Sequence, residues 1–261
     1  MYCSANLYGG IGNQMFQIAA CYMFSWKYNY LPIFVRKKYA SHGIPIRKLE
    51  WDTVLYKCKT VNRLPEGEWL TIHEKYNDPG FKNHEKINIM LDGYFQDLCY
   101  FDEKYYGKIR ELFEPKDSKK IESLWGKYTS CFSSPIGIHL RSYFEAESDF
   151  PPSLPYEYYE KAIKKHFDPD KDNFLIFCDK AKKHLDKILK LCKKTRVAGE
   201  KDHEELYLLS KCDNIILANS TFSWWSAFLN KDVKKVIVPD DTWRPGVHPN
   251  HLVFMKDWII E

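Results

Sequence analysis

His139 and Arg141 stand two residues apart at the end of an apolar run, "SPIGIHLR" (134–141). On an extended strand that spacing puts both side chains on one face as the chain leaves its sheet. An arginine there offers a permanently charged planar fork suited to phosphate or pyrophosphate. Taken alone, Arg141 is better explained by a surface ion pair. Three further segments carry similar chemistry. "LYGGIGNQMFQ" (7–17) reads as a glycine turn opening a helix, whose free N–H groups and positive dipole end attract anions. Asn13 and Gln14 add side-chain amides at the helix entrance. In "FCDKA" (177–181), Asp179 ends an apolar strand at a helix start. It is either an N-cap or a carboxylate that accepts hydrogen bonds from a base such as guanine. In "ANSTFSWW" (218–225), Asn219, Ser220 and Thr221 crowd between a strand and a helix, followed by Phe222 and Ser223. One of them must cap the helix, and the rest exceed what capping needs. Trp224, Trp225 and Phe228 are core candidates.

The glycine turn also tests a dinucleotide reading. Gly10 and Gly12 match the first two glycines of G-x-G-x-x-G, but the third position is Met15. The acid that would bind a ribose about twenty residues on is replaced by "VRKK" (35–38). A nicotinamide dehydrogenase is therefore disfavoured, whereas a more general anion cradle is not.

These segments need elements to hold them. Apolar residues at 3.6-residue spacing predict a helix over 13–29, and strands are expected at 31–35 and 87–95. Helical patterns cover 100–112 and 117–129. After residue 130 the alternation is cleaner. Strands are predicted at 134–140, 173–178, 214–219 and 234–241, and helices at 154–167, 180–194, 203–212 and 222–230. Alternating strands and helices argue for parallel sheets covered on both faces, with ligands at the carboxyl strand ends. We expect two Rossmann-like α/β halves, 1–130 and 131–261, with a phosphate-rich ligand in the cleft between them.

Composition narrows the function classes. The 39 basic residues nearly match 35 acidic ones, for a net charge of +4. Many lysines lie on a solvated helix face, so a nucleic-acid partner is not expected. The eight cysteines are spread singly without CxxC or zinc-finger spacing, which fits buried thiols in a reducing compartment. No apolar run reaches the roughly 18 residues of a membrane span, and no signal peptide is evident. A cytoplasmic protein is expected.

Together, "GGIGNQMFQ", "LDGYFQDLCYF", "IHLR", "LPYEYYEKAI", "FLIFCDKA", "ELYLLSKCDNIILANSTFSWWSAFLN" and "VIVPDDTW" resemble, in this order, the landmarks of the α-1,2-fucosyltransferases of glycosyltransferase family 11. The resemblance spans nearly the whole chain. It implies a GT-B-like fold, GDP-β-L-fucose as donor, a glycan acceptor with a terminal galactose, inversion to an α-1,2 linkage, and no metal ion or other cofactor. The family's arginine motif usually reads His-x-Arg-Arg-x-Asp. Here the second arginine is Ser142 and the aspartate is Phe144, with Glu145, Glu147 and Asp149 close behind. The departure leaves open another GDP-deoxysugar, or an inactive nucleotide-sugar or glycan-binding domain. In this frame Arg141 stabilises the leaving phosphate, Asn13 and the Ser220–Ser223 loop assist it, and His139 orients the site. Gly10, Gly12 and Gln14 line the donor, as do Asn219, Thr221 and Phe222. Asp179 reads guanine, with Glu205 a second candidate for that role.

Overall fold

The structure, a computed structural model, describes residues 1–41, 46–75, 81–141, 153–179, 182–240 and 253–261. They form two compact units, Met1–Lys116 and Asp117–Glu261. The break falls ahead of the helix expected at 117–129. That helix, α3 (Ser118–Thr129), packs on elements of the second unit and ties to it through a Lys120–Glu204 ion pair at 2.5 Å. The Asp117 carboxylate caps its start by accepting the Lys120 N–H at 2.9 Å.

The first unit begins with β1 (Tyr2–Ala5), α1 (Ile11–Tyr28), β2 (Leu31–Pro32) and β3 (Phe34–Val35). It continues through β4 (Thr60–Val61), β5 (Trp69–His73), β6 (Asn88–Asp92) and α2 (Tyr106–Leu112). A parallel sheet runs β2-β1-β6-β5, and β3 pairs separately with β4. Helix α1 is apolar nearly all round, and it is buried accordingly, with Met15, Phe16, Ile18 and Phe24 inaccessible to solvent. It stops at Asn29, whose φ of 58° is a left-handed terminator. The single strand expected at 31–35 is two strands in two sheets. Pro32 has no N–H to extend a ladder, Ile33 donates to Cys3, and the chain then crosses to β4. The helical pattern expected from residue 100 is broken into two 3₁₀ turns before α2, each capped by an aspartate, Asp97 and Asp102.

The second unit follows α3 with β7 (Ile136–Leu140), α4 (Tyr156–His166), β8 (Asn173–Cys178) and α5 (Lys182–Leu191). Then come β9 (Lys194–Val197), α6 (Asp202–Leu209), β10 (Asn214–Ile216), α7 (Thr221–Leu229), β11 (Lys235–Val238) and β12 (Ile259–Ile260). All six strands are parallel, in the order β12-β11-β10-β7-β8-β9. This is the doubly wound order of a Rossmann sheet, with its reversal between β7 and β10. Ile136, Ile138 and Leu140 face a core shared with Tyr159, Ile163 and Ile188 of α4 and α5. The opposite face meets α6 so closely that a Cβ at Gly137 would lie 2.4 Å from a Leu209 methyl. Tyr158 pins two strands from below, its hydroxyl donating to the carbonyls of Leu217 at 2.9 Å and Ile237 at 3.2 Å. All eight cysteines are free thiols, and Cys3, Cys21, Cys58, Cys192 and Cys212 are buried. Among the described residues no helix is long and apolar enough to cross a membrane.

Candidate active site

The reversal in strand order decides where the second unit can bind a ligand. Crossovers from β7 and from β10 leave the sheet on opposite faces, so their carboxyl ends open a crevice. Arg141 lies just beyond the end of β7 and Asp179 just beyond β8. Register brings the two together, with Leu140 opposite Cys178. The Arg141 Nη1 sits 3.2 Å from Asp179 Oδ2, and both side chains keep partial exposure, 34% and 24%. The Asp179 carboxylate therefore engages the arginine.

His139 shares the Arg141 face of β7 and is buried. Its ring lies 5.1 Å from the ring of Phe222, at the start of α7. Burial, reinforced by the Arg141 charge, lowers its pKa to about 3, so the imidazole is neutral at ordinary pH. Its Nδ1 is buried without a hydrogen-bond partner among the described residues. Such a vacancy costs roughly 1–3 kcal/mol unless a bound group fills it, which is what a ligand-facing histidine would show.

Across the reversal, β10 leads into Asn219 and α7. Of the crowded polar residues, Ser220 is the cap, its hydroxyl accepting the Phe222 N–H at 3.3 Å. Asn219 is buried, and Thr221 and Phe222 are half-buried. Ser223 turns inward, donating to Ala218 O at 3.2 Å and Ser220 O at 3.1 Å. It shapes the loop from behind. Trp224, Trp225 and Phe228 are core, as their pattern predicts. The second unit thus pairs Arg141 with Asp179 and His139 with Phe222 by direct contact, the latter at the start of α7. Glu205, near the start of α6, is half-buried and accepts the Glu200 N–H at 3.0 Å. Burial pushes its carboxyl up to about 7 against that hydrogen bond, with the charges of Asp202 and Glu200 adding to the rise.

In the first unit the glycine turn is built around Asn13. Gly9, not Gly10, is the conformationally demanding glycine. Its φ is +78°, and a Cβ there would meet Asn13 Nδ2 at 2.4 Å. Gly10 is the extended N-cap of α1 and accepts the Gln14 N–H at 3.0 Å. The Asn13 Oδ1 accepts from Gln96 Nε2 at 3.0 Å. That fixes the amide at the helix entrance beside the buried Gly12. Gln14 does something else. It is fully buried, donates to Gly9 O at 3.1 Å and Lys48 O at 3.0 Å, and accepts from Glu50 N–H at 3.3 Å. Its amide is used up in lacing the turn to the 48–50 segment. Gln96 and Gly9 were not singled out from sequence, although both lie inside quoted motifs. Ser142, Phe144, Glu145, Glu147 and Asp149 lie outside the described residues.

This architecture matches known proteins. The profile of Glycosyl transferase family 11 covers residues 2–261. The O-antigen biosynthesis glycosyltransferase WbnK of Escherichia coli is 25% identical over 97% of this chain and 98% of its own length. An alpha-1,2-colitosyltransferase of Escherichia coli is 28% identical over 90% of each. Among solved structures, the fucosyltransferase NodZ from Bradyrhizobium superposes with a TM-score of 0.60 at 14% identity, over 94% of this chain and 96% of that one. NodZ has also been solved after soaking with GDP-fucose. The fold is that of the GT-B fucosyltransferases, and with its profile match running essentially end to end the chain belongs to glycosyl transferase family 11.

Proposed function

We propose that this glycosyltransferase moves L-fucose from GDP-β-L-fucose to a glycan hydroxyl, with inversion to an α-1,2 linkage and without a metal ion. The observation that carries the reading is the Arg141–Asp179 pair at the reversal point of the second sheet, flanked by neutral His139 and the start of α7. Departure of GDP from carbon 1 builds negative charge on the β-phosphate. A guanidinium already oriented by Asp179 and a helix N-terminus can stabilise that charge without reorganising. The nucleotide also needs a carboxylate for its base. Since Asp179 is engaged by Arg141, Glu205 becomes the better candidate to accept from guanine, and Asp179 becomes the residue that aims the arginine. Asn219, Ser220 and Thr221 border the phosphates, with Phe222 against His139, while Ser223 and Gln14 support the loops. In the first unit, Asn13 with Gly10 and Gly12 presents the second set of donor contacts. The acceptor is a glycan with a terminal galactose.

A relative named for colitose transfer, together with Ser142 and Phe144 in the arginine motif, favours one alternative, another GDP-deoxysugar as donor. Incubating the protein with GDP-fucose, other GDP-deoxysugars, UDP-galactose and galactosyl acceptors, with and without EDTA, separates these. Turnover of GDP-fucose unaffected by chelation is the expected result. Preference for another donor, or loss of activity on chelation, would replace the corresponding part of the proposal.

A further inference from the structure

The carboxyl edge of the first unit's sheet carries a second group of polar side chains that the donor reading leaves unused. Strands β1, β6 and β5 lie side by side and lead to Asn6, Asp92 and His73. Asn6 Nδ2 donates to Asp92 Oδ1 at 3.1 Å, and His73 Nδ1 lies 3.0 Å from Asp92 Oδ2. One carboxylate therefore holds both neighbours and sets the plane of the Asn6 amide. Asn6 is also one wall of a pocket of about 100 Å³ beside the end of β1. Phe34, Leu49 and Met90 give it an apolar lining, and Lys37 and Ser41 stand at exposed positions on it. Among the described residues nothing pairs with the Lys37 ammonium, whereas its neighbour Arg36 is taken by Asp52 at 2.9 Å.

Size and chemistry together limit the ligand. At about 100 Å³ the pocket is small, with room for one sugar ring edge and its hydroxyls. An apolar lining suits the C–H face of a sugar. An oriented amide, an ammonium and a hydroxyl suit its O–H groups, which both donate and accept.

We propose that this pocket binds the terminal hexopyranose of the acceptor glycan, with Asn6, Lys37 and Ser41 reading its hydroxyls and the Asp92–His73 pair positioning Asn6. This rests on the reading of the second unit as the nucleotide-binding half. The test is saturation-transfer NMR with methyl β-D-galactopyranoside and methyl β-D-glucopyranoside as probes, on the wild-type chain and on Ser41→Trp and Lys37→Ala. Thermal shift with GDP runs in parallel. We expect saturation transfer to the galactoside with wild type, its loss in Ser41→Trp, which fills the pocket, and its weakening in Lys37→Ala. The GDP-induced shift should persist in both variants. If Ser41→Trp does not fold, Lys37→Ala decides the matter alone. No transfer to either glycoside, or transfer unchanged in the folded variants, overturns the proposal. A missing GDP shift alongside an intact galactoside signal refutes the nucleotide reading instead and leaves the pocket assignment standing.

Discussion

Gly9 and Gly10 are adjacent, yet the same added methyl should affect them differently. At Gly9 the φ of +78° makes alanine unfavourable by roughly 1–2 kcal/mol. The methyl would also sit 2.4 Å from Asn13 Nδ2, so that amide must swing away. Swinging it breaks the 3.0 Å hydrogen bond from Gln96, at about 1 kcal/mol. Gln96 is buried and its Oε1 already lacks a partner among the described residues, so its amide would then lose its Asn13 partner as well. The total is roughly 3 kcal/mol, or about 6–12 °C at the sensitivity usual for folds of this size. At Gly10 the φ of −76° is ordinary and nothing lies within 4 Å of a new Cβ. Alanine there forfeits only a modest N-cap preference, under about 1 kcal/mol. Thermal denaturation of Gly9→Ala and Gly10→Ala followed by circular dichroism, with initial transfer rates measured alongside, makes the comparison. Midpoints within about 2 °C of each other would mean that neither the positive φ nor the Asn13 contact constrains the turn.

Arg141→Ala should lower transfer by about 10²–10³ while leaving the melting midpoint nearly unchanged, and a rate within about threefold of wild type would reject its role. Glu205 ionises only near pH 7, and in its proposed role the carboxylate accepts from guanine's N–H donors. GDP affinity should therefore rise by up to about tenfold from pH 6 to 8 and go flat in Glu205→Gln, as titration calorimetry would show. An affinity that falls with pH contradicts the assignment. On the stability side, a carboxyl whose folded pKa is raised favours folding most below its unfolded value and loses that advantage as pH climbs to about 7. Tyr158→Phe strips a donor from two buried carbonyls and should cost about 1–2 kcal/mol in urea unfolding, with kcat unchanged. Unaltered stability would show that the hydroxyl does not brace β10 and β11.

What could be read from the sequence follows from which signals are local. The strand expected at 173–178 and the helices expected at 13–29 and 222–230 carry long apolar patterns, and their boundaries came within a residue or two. Strand β5 was missed because Trp69–His73 is a half-exposed edge strand in an irregular region, where the Leu70/Ile72 alternation is too short to stand out. Strand β9 was not read from the sequence, since the lysine-rich helix was expected to run to 194 and nothing was assigned to 195–197. Its residues Lys194–Val197 are mostly polar, with Thr195 and Arg196 half-buried and no apolar face, and pairing with β8 makes them a strand. At the site, the face shared by His139 and Arg141 was legible because strand periodicity is rigid. The Arg141–Asp179 contact was not, because it depends on two strands being neighbours. Asn13 stood out by type, whereas the Gln96 that holds it is 83 residues away in sequence. Gln14 and Ser223 show the opposite limit. Their types advertise ligand contact, but only tertiary hydrogen bonds reveal that both are spent on the scaffold.

The reversal between β7 and β10 also sets the order in which the second unit can mature. Ile136 lies opposite Asn214 across that junction, so the ribosome must deliver α4, β8, α5, β9 and α6 before the central pair can zip. Closing so long a loop is entropically costly, and such non-local pairing slows folding. During synthesis β7 waits with one unpaired edge, and that edge belongs to the strand that ends in His139 and Arg141. A nascent chain stalled before residue 214 would carry the arginine without its crevice, and would be exposed to edge-to-edge association that the finished sheet forbids.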